Sequence, residues 1–105
     1  MAIRRRRVIW ALRARAALDE AIGYVAADAP DTAAALLDRV LEAAASLEEL
    51  SDRGRIVPEL ADLRLRELIA RPYRLLYEVA DDEVQIVGLL HERRDFAEWQ
   101  REQGY

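Results

Sequence analysis

The sequence predicts an α+β domain in which one antiparallel helical hairpin packs on a face of a small, mostly antiparallel sheet, in the order β-α-α-β-β-β. Three observations support it. Apolar residues recur at three and four from Ala33 to Leu47, the period of an amphipathic helix. Residues 73–91 alternate with a period of two, as paired strands do. Pro30 separates the clear helix from an earlier helical stretch by only a short turn, which folds the two back on one another.

Residues 3–10 are expected to form the first strand, with Val8, Ile9 and Trp10 as its apolar end and Arg4 to Arg7 on an edge where charge discourages sheet-to-sheet association. A helix over 11–27 follows, burying Leu18, Ile22 and Val25, with Ala14, Ala17 and Ala21 allowing close approach. Its start is weakly signalled, because no Ser, Thr, Asp or Asn lies between Trp10 and Leu18. The run DAPD at 28–31 breaks it; Pro30 opens the next helix from its first turn, with Asp28 as a candidate cap. That second helix carries Ala33, Leu36, Leu37, Val40, Leu41, Ala44 and Leu47 on one stripe, with Asp38, Arg39 and Glu42 off it.

SDRGR at 51–55 ends the hairpin, and IVPEL runs extended because Val57 precedes a proline. Three strands are expected over 63–69, 73–80 and 83–91. In the middle one, Tyr73, Leu75, Tyr77 and Val79 share a face opposite Arg74, Leu76 and Glu78. ADDE makes a tight acidic turn into the last strand. There Val84, Ile86 and Leu90 are expected on one side and Val87 and Leu89 on the other, as in a central strand. Asp95 is placed to cap a short terminal helix carrying Phe96 and Trp99. The second face of the sheet is left open, or covered by something else.

At 105 residues, 52% of them apolar and 34% charged, the chain is read as one domain over 1–105 with a single core and little room for a deep cleft. It has no cysteine and one histidine, so thiolate chemistry is excluded, and no metal or other cofactor is expected. No apolar run has the length of a membrane span and no signal peptide is evident, so the expected location is cytoplasmic, with no membrane partner. All 16 basic residues are arginine, suited to forking onto carboxylate or phosphate and poor as general bases. The net charge of −4 conceals a segregation, since six arginines precede the first acidic residue, Asp19.

Taken together, Val8-Ile9-Trp10 leading into Leu18 and Tyr24-Val25, the AP…AA break at 29–34, Gly54-Arg55 before VPE, LREL at 65–68, PYRLLYEV at 72–79 and LLHERR at 89–94 resemble the RelE/ParE superfamily of toxins from bacterial type II toxin–antitoxin modules. The resemblance covers nearly the whole chain. The Gly-Arg step, the LREL…PYR hairpin and the H-x-R-R ending are more similar to the ParE branch. It implies a RelE/ParE-like fold and a small toxin neutralised by a co-expressed antitoxin, ParD-like or another small DNA-binding protein, whose C-terminal segment wraps the toxin. ParE-like members act on DNA gyrase, and RelE-like members cleave mRNA on the ribosome. The first makes this chain a non-enzymatic inhibitor, and the second a metal-independent endoribonuclease. A non-toxic interaction domain of the same fold is a third reading. No specific DNA binding by the toxin alone is expected.

Metal-free RNA cleavage needs a base for the 2′-hydroxyl, cations for the charged phosphorane and an acid for the leaving oxygen. By resemblance to the RelE pattern, Arg66, Arg74, His91 and Arg93 would carry that chemistry. Trp99 stands where that pattern has a tyrosine, and indole cannot supply a phenolic proton. The same resemblance makes Arg64, Arg66, Arg74, His91, Arg93, Arg94 and Trp99 candidates for contact with target or antitoxin. Each has a plainer role beside it: Arg74 pairing across the sheet with Glu67, Arg93 and Arg94 pairing with Asp95, His91 ending a strand. The segment His91 to Asp95 is therefore expected to be chiefly a recognition surface, and Tyr73 and Tyr77 to be core.

Overall fold

The computed structural model describes residues 4–59 and 64–104. Its elements are β1 (Arg7–Trp10), α1 (Leu12–Ala26), α2 (Pro30–Ser46), β2 (Arg55–Ile56), β3 (Leu65–Ala70), β4 (Tyr73–Val79), β5 (Glu83–His91) and α3 (Phe96–Gln103). The sheet has five strands in the order β1-β5-β4-β3-β2. Strand β1 runs parallel to β5, and every other pairing is antiparallel. The α+β order is as expected apart from β2, a two-residue strand that joins the end of SDRGR to the start of the stretch read as merely extended. The expected 3–10 strand begins only at Arg7, with Arg4 to Arg6 irregular, and the expected 63–69 strand begins at Leu65, with Arg64 in a turn; residues 3 and 63 lie outside the described residues.

Two apolar layers hold the fold. Between hairpin and sheet, Ala14, Leu18, Leu36, Val40, Ala44 and Leu47 meet Leu68, Leu75, Tyr77, Val84, Ile86 and Leu89. The second face is not open: α3 lies over it, and Phe96 and Trp99 pack with Val57, Leu65, Leu76, Val87 and Leu90. Aspartate 95 starts that helix as expected, accepting a hydrogen bond from the Ala97 N–H at 2.9 Å. Asp28 does not cap α2. The cap position falls on Ala29, without a side-chain bond, and Pro30 fills the first turn. Leu41, expected in the buried stripe of α2, is 43% exposed.

A bulge in β5 overturns the expected grouping of its side chains. Leu76 pairs with Gly88 and Tyr77 with Ile86, so Val87 has no partner across the ladder. The extra residue reverses the alternation. Val84, Ile86 and Leu89 face the hairpin, while Val87 and Leu90 face α3. The Arg13 guanidinium of α1 donates to the bulged Val87 carbonyl at 3.1 Å. The bulge also brings Gly88 under α3, where an added Cβ would lie 2.6 Å from the Trp99 ring. Gly88→Ala is thus expected to cost about 1–3 kcal/mol by forcing the indole out of place. Thermal melting and a red shift of Trp99 emission, read in a Trp10→Phe background, check this.

Candidate functional site

Antiparallel pairing places Tyr73 opposite His91 at the ends of β4 and β5, with their rings edge to face at 5.3 Å. The turn after β5 fixes the imidazole. The Arg93 N–H donates to His91 Nδ1 at 3.1 Å, so the neutral ring carries its proton on Nε2. The Arg94 N–H donates to the His91 carbonyl at 2.9 Å. With Glu20 and Tyr24 from α1, the residues Tyr73, His91 and Arg94 surround a shallow cleft of about 270 Å³ floored by Ala17, Ala21 and Leu89. Tyr24 is 83% exposed at its rim. Burial pushes the Tyr73 phenol above its ordinary pKa, so it stays a proton donor at neutral pH. Arg94 is paired with Glu102 of α3, not with Asp95, whose carboxylate caps the helix.

Arg74 lies on the opposite face of the sheet. Its Nε donates to Glu67 at 2.8 Å, and its Nη1 and Nη2 fork onto Glu59, each at 2.8 Å. The guanidinium also sits 5.1 Å from the Phe96 ring centroid. Glu67 is 1% exposed, and its other oxygen accepts from Arg55 Nε at 2.9 Å. The cross-strand Arg74–Glu67 pair is thus part of a four-residue network, which the sequence spacing did not reveal because Glu59 lies in an irregular connection. Burial acts to lower the Arg74 pKa, and the hydrogen bonds and charges of Glu59 and Glu67 together outweigh it and leave it raised. The hydrogen bond from Arg74 holds the Glu59 carboxyl below its ordinary value.

Arg66 faces the hairpin, across from Tyr77, with its Nη1 on the Gly54 carbonyl at 2.8 Å. Tyr77 and Tyr73 are four residues apart on β4, which puts Arg66 roughly 13 Å along the sheet from His91 at the usual strand rise. Tyr77 is core, as expected: its hydroxyl accepts from the Gly54 N–H at 2.8 Å and donates to the Ser51 carbonyl at 2.9 Å. Gly54 is required there, because a Cβ would come within 2.5 Å of that hydroxyl and of the Glu67 carbonyl oxygen. Arg64 is exposed just before β3. Trp99, a candidate contact from the sequence, is only 4% exposed and packs in the α3 layer, so it presents no surface to a partner here. The candidates therefore divide. His91, Arg94 and the neighbouring Arg93 gather at one strand end, while Arg66 and Arg74 occupy separate places on opposite faces.

A family model described as the ParE toxin of the type II toxin–antitoxin system parDE matches residues 8–96. Toxin RelE2 of Caulobacter vibrioides is 40% identical over 88 residues, spanning 83% of this chain and 96% of that protein. A solved structure described as the chromosomal ParDE toxin–antitoxin system from P. aeruginosa shares the fold, with a TM-score of 0.69 and 21% identity over 82% of this chain and 95% of the other. A helical hairpin on this five-stranded sheet, together with these relatives, defines the class as the RelE/ParE superfamily. Within it, the chain belongs to the ParE toxin family of type II toxin–antitoxin systems.

The Glu59–Arg74 pair gives a pH signature. Because the folded pKa of Glu59 is depressed, its contribution to stability is present above the ordinary value of 4.5 and is lost as pH falls through the lower folded value. Glu59→Gln removes that contribution, so its melting temperature should lie below wild type at neutral pH and converge with it as acid protonates Glu59. Arg74→Gln should be more severe, on the order of 3–5 kcal/mol, because it strips a charge partner from the buried Glu67. Urea denaturation at neutral pH measures that loss.

Proposed function

We propose that this chain, the toxin component of a type II toxin–antitoxin system, inhibits growth by binding and poisoning DNA gyrase. The observation that carries this reading is the dispersal of the cations that metal-free RNA cleavage would need at one point. Arg74 is 8% exposed and bonded to two carboxylates on the α3 face, while Arg66 and His91 lie far apart on the hairpin face. What is left together at the strand end is charge suited to recognition. Arg93 makes no ion pair among the described residues, and Arg94 is shared with Glu102. The partner expected beside gyrase is a cognate antitoxin, ParD-like or another small DNA-binding protein, with a C-terminal segment that offers apolar anchors to the helical hairpin and carboxylates to the arginines. The residues 1–105 act as one toxin domain without specific DNA binding of their own.

The second reading is ribosome-dependent mRNA cleavage. It is favoured by the Tyr73, His91 and Arg94 side chains around one cleft, a donor, a titratable ring and a cation within reach of a small anionic group. Toxin names among the relatives do not separate the two, since the family model carries a ParE description and one relative the name RelE2.

Induction in cells tests the choice. Filamentation and a DNA-damage response with continuing protein synthesis support gyrase; rapid translation arrest with cuts in ribosome-bound mRNA and no DNA damage overturns it. Under the gyrase reading His91→Gln keeps most toxicity, because the amide retains much of the size and polarity of the ring. Replacing Arg93 and Arg94 together by Glu should abolish toxicity at matched soluble expression, with an unchanged circular dichroism spectrum, by setting like charge against an acidic surface.

A further inference from the structure

We propose that Arg74 is a carboxylate receptor held shut by Glu59, and that an acidic side chain on a docked antitoxin segment takes Glu59's place on the guanidinium. This rests on the toxin–antitoxin reading above for the identity of the partner, but the receptor itself rests on geometry. The two ends of Arg74 differ in kind. Its Nε is held by Glu67, a carboxylate on β3 that is 1% exposed, and its plane is backed by the Phe96 ring. Its Nη1 and Nη2 point to Glu59, whose side chain is 43% exposed and belongs to the connection between β2 and β3 rather than to any helix or strand. Loss of Glu59 therefore leaves the guanidinium in place, with two charged donors aimed outward and unsatisfied.

A planar fork with two free N–H groups is the geometry that accepts one carboxylate side by side. Because Glu67 and the Phe96 ring hold the guanidinium in one orientation, the vacated fork is preorganised for an anion. The resident carboxylate also sets who can enter. Tethered by its own chain, Glu59 competes at a high effective concentration, which a free metabolite anion does not match. A carboxylate on a segment already docked elsewhere on the toxin is tethered in the same way and competes on equal terms.

Glu59→Ala removes the carboxymethyl group, and acetate is the probe that restores it. The side-chain Nε–H resonance of Arg74 is followed by ¹H–¹⁵N NMR in full-length protein while acetate is added at constant ionic strength. A saturable shift in Glu59→Ala at millimolar acetate, absent from wild type over the same range and not reproduced by chloride, is the expected result. No saturable shift in the folded variant overturns the receptor. Glu59→Gln, which keeps the size and drops the charge, carries the second arm: variant and wild type compete for a limiting amount of the co-expressed antitoxin. Removing the resident occupant should favour the variant by about tenfold. Equal or weaker capture of the variant overturns the exchange while leaving the toxin–antitoxin reading intact. Failure of wild type to bind the antitoxin overturns that reading and the exchange with it, and the acetate titration then decides the receptor alone.

Discussion

A carboxylate with almost no contact with water, Glu67, is the constraint around which the sheet is arranged. An isolated charge at that depth would be untenable, so arginines must come to it from both neighbouring strands. Arg55 arrives from β2 and Arg74 from β4, and β3 is pinned between them. Strand β2 is only two residues long, and a pairing so short holds little by itself. Its place at the edge depends on the Arg55–Glu67 bond and on the Gly54 step beside it, where Tyr77 and Arg66 take the backbone N–H and carbonyl. Charge and hydrogen bonding set the position of this edge, while apolar burial sets the rest.

That division explains what could be read in the sequence. The helical hairpin was legible because Ala33 to Leu47 repeat with the period of a helix, and β4 because Tyr73, Leu75, Tyr77 and Val79 recur at every second position. The sides of β5 were not. A bulge inserts one residue without leaving a mark in the composition of VQIVGLL, and only the pairing of Leu76 with Gly88 reveals that Leu90 has changed sides. The covering of the second sheet face was signalled only weakly, by Phe96 and Trp99 at helical spacing behind Asp95. The site was less legible than the fold for the same reason. The Arg74–Glu67 pair follows from strand neighbours, but Glu59 and the contact of Tyr73 with His91 depend on a connection and a register that local pattern does not contain.

The two faces of the sheet consequently have different chemistry. The hairpin face ends in a shallow cleft with a histidine, a phenol and a guanidinium in reach of solvent. The α3 face carries a buried ion-pair network covered by an aromatic ring. Arginine is suited to both settings, because its charge survives burial and its planar head can be held at one edge while the other stays available.

The parallel pairing of β1 with β5 has a consequence for the order in which the molecule is built. All of α1, α2 and the β2–β4 meander are synthesised before the strand that β1 must join exists. During synthesis at roughly 5–20 residues per second, β1 has no ladder and α1 lacks most of the surface it covers. Long-range closure of this kind comes late and slowly compared with the local hairpins. The complete sheet, and with it the strand end that carries His91, Arg93 and Arg94, therefore comes into being only as the last quarter of the chain leaves the ribosome, so a product truncated before β5 lacks both that surface and the strand on which the hairpin packs.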